Sequence, residues 1–297
     1  MGNKDYIPSP NLKLIMMIGL MGSGKTTETK KLIAKYDAVT LSSDVLREEF
    51  PGKNNNDIFE ILYDRAKTLL NNGISVILDA TNLTIKTRMK ALEHFKKIEA
   101  ERIAYVVATP YEECVRRLYN RETGAAREGI LNALKKYSLS FQAPVFGEGW
   151  NTITIQRTGI DPAFESKIPQ LIADMIGYDQ QTHWHDDTLE VHAKKVRDAV
   201  PEEIKMAAWL HDIGKMETQS IDAEGQAHYY GHANIGAYQL LLDKDIDYNT
   251  VLLVNYHMLP FSWETPKTHE KYRNIFGQTL YYNIMLLHEA DINSHKK

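Results

Sequence analysis

Gly19, Gly24, Lys25 and Thr26 stand in the spacing G-x-x-x-x-G-K-T. Those residue types in that order suit a nucleoside triphosphate. Gly22 and Gly24, with Ser23 between them, let the backbone curl until several N–H groups point inward at phosphate oxygens. Lys25 can reach the β- and γ-phosphates, the Thr26 hydroxyl can ligate Mg²⁺, and Thr27 continues the same turn as a further nucleotide contact. A second chemistry sits far along the chain. His211 and Asp212 are adjacent and can grip one metal ion, and His192, His232, His257 and Asp291 keep them company. Imidazoles mixed with carboxylates, and no cysteine nearby, suit Mn²⁺, Fe²⁺, Co²⁺, Ni²⁺ or Zn²⁺ better than a thiolate-preferring metal.

Each set needs elements to position it. An apolar run over residues 12–18 reads as a buried strand, and residues 24–36 as the helix that follows the glycine turn. Further apolar runs at 38–41, 74–78 and 103–108 alternate with helical periodicity at 57–71 and 86–98, which predicts a doubly wound parallel sheet. Ser43-Asp44 and Arg47 then fall where the second strand gives way to a helix, and Asp79 and Asn82 where the third strand ends. In open α/β sheets that is the ligand-binding edge. A helix after Pro110 carries Arg116, Arg117 and Arg121 up to the break at 124–127, as a phosphate-covering lid would. Residues 152–155 fit a last edge strand and 164–176 a closing helix. Beyond about 180 the pattern is helical without strand alternation, and the helix from about 202 reaches His211-Asp212 with Gly214 ending it.

Composition supports two chemistries. Residues 1–150 hold 22 Lys/Arg against 18 Asp/Glu (+4), and residues 151–297 hold 13 against 21 (−8), together the net −4. Of the 11 histidines only His94 precedes residue 180. The single cysteine, Cys114, allows no internal disulfide and points to a reducing compartment. No apolar run is long enough to span a bilayer, so the expectation is a cytoplasmic protein without a membrane partner.

The first half resembles the kinase domain of 5′-polynucleotide kinases. The phosphate loop, Ser43-Asp44-x-x-Arg47, Asp79-x-Thr81-Asn82-Leu83-x-x-x-x-Arg88 and the arginines Arg117 and Arg121 match in order over about residues 12–155. The resemblance implies that Asp44 is the general base for a 5′-hydroxyl and that Arg47 holds the phosphate beside the acceptor nucleoside. It further implies that Lys25, Arg121 and Arg117 stabilise the moving phosphoryl group, and that Asp79, Asn82 and Arg88 shape the acceptor site. ATP or another NTP with Mg²⁺ is the implied cofactor.

The second half, over about residues 180–295, resembles the all-helical HD phosphohydrolases, whose ligands run His … His-Asp … Asp. His192, His211, Asp212 and Asp291 match that order, His232 and His257 match members with a second metal, and Lys215 can pair with substrate phosphate. Asp212 is then catalytic as well as a ligand, and one or two divalent ions are implied. His183 and His185 are alternatives, for a substrate contact or in place of His192, while His228, His269, His288 and His295 read as ordinary residues. The D-x-D-x-[TV] nucleophile of phage end-healing phosphatases has no match, because Asp243-Lys244-Asp245-Ile246-Asp247 follows a helix and reads as a solvated acidic loop.

The combined expectation is an α/β P-loop kinase domain at 1–178 followed by an all-α HD domain at 179–297. Together they would heal nucleic-acid ends, RNA rather than DNA, for a separate RNA ligase, with homo-oligomerisation left open. A small-molecule kinase fused to an HD nucleotidase shares nearly every motif. A non-catalytic NTP switch is the third reading.

Overall fold

The computed structural model describes residues 12–161, 166–182 and 187–294. The chain divides into two compact units, Met1–Arg121 with Pro144–Gly159, and Glu122–Ala143 with Ile160–Lys297. The division is interleaved, where the sequence reading drew one boundary at 178/179.

The first unit is built on β1 (Lys13–Ile18), whose KLIMMI sequence is buried on both faces from its second residue onward. A strand covered on both sides must be apolar throughout, which is why it reads as a continuous run rather than an alternation. Around it lie β2 (Val39–Ser42), β3 (Val76–Asp79), β4 (Glu101–Ala108) and β5 (Thr152–Arg157), all parallel, in the order β2-β3-β1-β4-β5. The inner strand β3 is fully buried and the edge strands are not, as their more polar sequences require. Helices α1 (Lys25–Tyr36), α2 (Ser43–Glu49), α3 (Asn55–Asn71), α4 (Ile85–Glu93) and α5 (Tyr111–Arg121) make the connections. This parallel five-stranded sheet with flanking helices fits a P-loop kinase fold. Because Ser42 pairs in register with Asp79, the carboxyl ends of β2 and β3 finish side by side, and Gly19 at the end of β1 donates its N–H to the Thr81 carbonyl at 3.0 Å.

The second unit takes α6 (Gly124–Ser138), α7 (Ile168–Met175), α8 (Leu189–Asp198), α9 (Lys205–Leu210), α10 (Lys215–Thr218), α11 (His232–Leu242), α12 (Tyr248–Tyr256) and α13 (Pro266–Ser294), the last broken at Gly277 (φ 75°, ψ 165°). A two-stranded hairpin, β6 (Ser220–Ile221) with β7 (Ala227–His228), departs from the purely helical expectation. Residues 139–143 are tied down here: Asn234 Nδ2 donates to Leu139 O at 2.6 Å, and the Ala143 N–H donates to Asn255 Oδ1 at 2.6 Å. The acidic string at 243–247 is a loop with Lys244, Asp245 and Asp247 exposed, as expected, and only Asp243 departs from that reading. Asp243 is buried and accepts from Ser166 Oγ and the Asp245 N–H, and Asp247 caps α12 through the Thr250 N–H at 2.9 Å. Among the described residues no helix is long and apolar enough to cross a membrane.

Candidate functional site

In the second unit, six buried side chains converge: His192 from α8, His211 and Asp212 after α9, His232 at the start of α11, His257 after α12 and Asp291 on α13. Asp212 is the centre. Its Oδ2 lies 3.2 Å from His211 Nε2 and 3.5 Å from His192 Nε2, and its Oδ1 lies 3.2 Å from His232 Nε2 and 3.8 Å from His257 Nε2. Asp291 Oδ1 adds 3.1 Å to His192 and 3.7 Å to His211. The outer nitrogens fix the tautomers. His211, His232 and His257 each set Nδ1 against a backbone carbonyl, of Ala208, Tyr229 and Val254, at 2.7–2.8 Å. A carbonyl only accepts, so Nδ1 carries the proton and Nε2 presents a lone pair inward. Ser294 Oγ gives its proton to Asp291 O at 2.6 Å, so at 3.0 Å it accepts from His192 Nδ1, with the same result.

Inward lone pairs 3.2–3.3 Å apart, His192 against His211 and His232 against His257, repel unless positive charge lies between them. The donor set fits two groups that could each hold a divalent cation, His192/His211/Asp291 and Asp212/His232/His257, with the two Asp212 oxygens facing one group each. Protons alone balance the charge unevenly. Burial works against the His211 imidazolium, but Asp212 and Asp291 hold its pKa up to about 10. Burial, with His211 and His232 beside it, pushes His257 down to about 3.

Gly214 has φ −72° and does not end a helix in the left-handed region, correcting the sequence expectation. Its role is close approach: a Cβ there would lie 2.1 Å from His232 O and 2.7 Å from Gly236 N. Lys215 is buried, with Nζ 2.7 Å from Asp212 Oδ2. Of the histidines read as ordinary, His228 pairs with Asp222 and His269 with the Tyr281 hydroxyl. His183, His185 and His295 lie outside the described residues.

In the first unit the phosphate loop connects β1 to α1. Gly22 (φ 77°) and Gly24 (φ 93°) adopt left-handed backbone that other residues resist, and a Cβ on Gly22 would also stand 2.8 Å from Cys114 O. Ser23 is buried, and its carbonyl accepts from Thr109 Oγ1 (2.7 Å) and Thr158 Oγ1 (3.0 Å). Lys25 folds back onto the Gly19 and Leu20 carbonyls at 3.1 and 2.8 Å. Burial lowers its pKa, and Asp79 chiefly opposes that. Burial in turn raises the Asp79 pKa, against Lys25 and a hydrogen bond from Thr26. Thr26 and Thr27 are exposed on the first turn of α1. Arg117 donates from Nη1 to Gly22 O at 3.1 Å and from Nε to Glu113 Oε1 at 2.7 Å. Arg121, at the end of α5, adds positive charge felt at Lys25.

Residues 14–144 match the AAA_33 family model, an AAA domain. The first unit is a P-loop kinase-like domain. No curated protein matches the chain. Among solved structures, the kinase-like domain is similar to the Mycobacterium tuberculosis APS kinase CysC (20% identity, TM-score 0.38, 57% of this chain and 99% of that one). It is also similar to a chain of the Pnkp1/Rnl/Hen1 RNA repair complex (23% identity, TM-score 0.37), where the match spans 47% of this chain and about half, 49%, of that one. A gluconokinase from Sinorhizobium meliloti 1021 matches at 13% identity and TM-score 0.37 over 52% of this chain and 86% of that one.

The residues that the sequence resemblance set on the acceptor side fall into two groups. Asp44 stands exposed at the start of α2, capped by Ser42, and takes Arg47 Nη1 at 2.6 Å. Arg47 also donates to Ser43 Oγ (3.2 Å) and, from Nε and Nη2, to Asn55 Oδ1 (3.3 and 3.2 Å). Arg88 is elsewhere. Its side chain is 0% exposed and grips Glu148 with two bonds, Nε to Oε2 at 2.7 Å and Nη2 to Oε1 at 2.8 Å. Its Nη1 donates to Asn82 O at 3.1 Å. A guanidinium sealed in this way cannot meet a substrate, which corrects its expected role. It holds the loop in which Asn82 (φ 46°) donates to Met17 O at 2.8 Å. Sequence reasoning missed Asn55, Glu113, Glu148 and Ser294. Glu113 was legible as an i, i+3 and i, i+4 partner of Arg116 and Arg117, but nothing local marks Glu148 for a partner 60 residues away.

Proposed function

We propose that this chain heals nucleic-acid ends with two chemistries, a 5′-hydroxyl kinase in the P-loop kinase-like domain and an HD-type phosphohydrolase in the helical unit. The observation that carries the reading is one chain holding both an exposed Asp44–Arg47 pair on the phosphate-loop edge of a parallel sheet and a buried His/Asp set centred on Asp212.

In the kinase step a 5′-hydroxyl oxygen attacks the γ-phosphorus of ATP or another NTP. The new O–P bond forms as the bond to the β-phosphate oxygen breaks, and the hydroxyl proton passes to Asp44. Arg47 binds the acceptor-side phosphate, while Lys25, Arg117 and Arg121 spread the charge that develops on the moving group. Asp79 and Thr26 sit together beside Lys25, so Asp79 serves the Mg²⁺–phosphate side as well as the acceptor side.

In the helical unit, His192, His211, Asp212 and Asp291, with His232 and His257 for a second ion, would hold divalent Mn²⁺, Ni²⁺, Co²⁺, Fe²⁺ or Zn²⁺. Such ions polarise phosphate and supply hydroxide at neutral pH. Hydrolysis adds water to phosphorus and releases a 3′-hydroxyl, from a 3′-phosphate directly or after opening a 2′,3′-cyclic phosphate. RNA ends, a cytoplasmic setting and a separate RNA ligase acting downstream complete the reading.

The modest +4 of residues 1–150 favours a second reading, a kinase and nucleotidase for free nucleosides or nucleotides. The test is the salt dependence of acceptor use with a 5′-hydroxyl oligonucleotide against a free nucleoside. Preference for the oligonucleotide that falls steeply with salt supports end healing, since phosphate contacts release counterions. Equal use of the nucleoside with no salt slope overturns it.

A further inference from the structure

Gln180 lies in the segment after α7, and its side chain is 0% exposed. A buried amide needs both ends satisfied, and here the partners dictate which way it points. Nε2 donates to Asp187 O at 3.2 Å, because a carbonyl can only accept. Oε1 accepts from Lys215 Nζ at 2.8 Å, because an ammonium can only donate. The Gln180 backbone is held as well, its carbonyl accepting from the Tyr229 hydroxyl at 2.5 Å. The Tyr229 ring lies under the Lys215 ammonium, 5.5 Å from Nζ to centroid, and the Tyr229 carbonyl accepts from His232 Nδ1 at 2.8 Å. Lys215 is thus aimed from one side by Gln180 and Tyr229, and on the other it stands 2.7 Å from Asp212 Oδ2.

We propose that Gln180 is a positioning residue that keeps Lys215 pointed at the Asp212 centre, so that the helical unit prefers a dianionic terminal phosphomonoester to a monoanionic phosphodiester. The inference rests on the phosphohydrolase reading. A phosphate bound against the Asp212 centre comes within reach of an ammonium already 2.7 Å from that carboxylate. A neutral amide acceptor orients the ammonium without adding a second negative charge to the Asp212 carboxylate already beside it, whereas a carboxylate in its place would add one. Attraction to an anion grows with the anion's charge, so an ammonium aimed at the bound phosphate favours the dianion.

The test compares wild type, Gln180→Glu and Gln180→Met, full-length and loaded with Mn²⁺. Mn²⁺ affinity is measured by calorimetry, inorganic phosphate affinity by competition, and KM and kcat on a 3′-phosphate and on a 2′,3′-cyclic phosphate oligonucleotide. The expected result is Mn²⁺ affinity and kcat near wild type in both variants. Phosphate affinity and KM for the 3′-phosphate should weaken roughly tenfold, the scale of one charge-assisted hydrogen bond, with a smaller change on the cyclic ester. Gln180→Met separates loss of orientation from added charge, and thermal unfolding shows which variant is folded. Unchanged phosphate affinity and KM in a folded variant overturn the proposal. So does loss of Mn²⁺ affinity in both, which would make Gln180 a support of the metal ligands instead. Wild type that takes up no Mn²⁺ and hydrolyses neither end contradicts the phosphohydrolase reading itself.

Discussion

Asp44 presents 87% of its side chain to solvent and Asp212 only 4%, and the difference decides what removing each should do. Asp44→Ala takes away a proton acceptor and an exposed ion pair. Phosphoryl transfer should fall by roughly 10²–10⁴, while the urea midpoint stays within about 0.5 kcal/mol of wild type. A kinase rate left intact would remove Asp44 from the mechanism. Asp212→Asn leaves four inward histidine nitrogens with one carboxylate, Asp291, beside them. Divalent-ion uptake followed by calorimetry should be lost, and undiminished uptake would contradict the bridging geometry. Arg88→Met exposes the difference between a substrate contact and a structural pair. Leaving Glu148 buried without its partner should cost about 3–5 kcal/mol in urea unfolding. A variant of normal stability with a raised acceptor KM would restore the substrate role that the sequence suggested.

At the scale of elements, the approach of Gly214 to α11 places His232 beside Asp212. Adding a methyl group 2.1 Å from His232 O must move the helix, so Gly214→Ala should weaken binding of any ion that His232 and His257 would hold. Titration should then show one site weakened more than the other, and two unchanged sites would sink the idea. Helix α5 makes a pH prediction. Arg116 and Arg117 hold the Glu113 carboxyl at about 2, below its usual 4.5, so the folded chain binds fewer protons there than the unfolded one. The stabilisation is present above pH 4.5 and is lost as pH falls through about 2. Urea midpoints of wild type and Glu113→Gln should differ slightly, by under about 1 kcal/mol for a surface pair whose Arg116 stays solvated, and converge as pH falls below about 2. A gap that stays constant with pH assigns the difference to something else. The strands and the phosphate loop were legible because burial on both faces and φ above zero leave marks in the sequence, as continuous apolar runs and as glycines. Gly214 was misread because close packing and a left-handed cap call for the same residue.

Across the whole molecule, the uneven charge and the crowding of histidines after residue 180 pointed to two chemistries; the chain divides into two compact units, and the second gathers the His/Asp set. The interleaving was not legible. Residues 122–143 follow the arginine-bearing α5 directly, and their helical composition gives no sign that they belong with the second unit, since the partners of Leu139 and Ala143, Asn234 and Asn255, lie about a hundred residues on. The six side chains that converge could be named from the sequence because they are of two types, His and Asp, with few alternatives in the second half. The Nδ1 anchors were not, because three of the four are backbone carbonyls, which every residue has. The central claim is that one chain repairs both ends of a broken strand at separable sites. An RNA oligonucleotide with a 5′-hydroxyl and a 2′,3′-cyclic phosphate, incubated with γ-labelled ATP, Mg²⁺ and Mn²⁺, tests it when both ends are resolved for wild type, Asp44→Ala and Asp212→Ala. The account predicts 5′ labelling lost only in Asp44→Ala and 3′ processing lost only in Asp212→Ala. Neither end changing with wild type, while a free nucleoside or nucleotide is consumed, would contradict it.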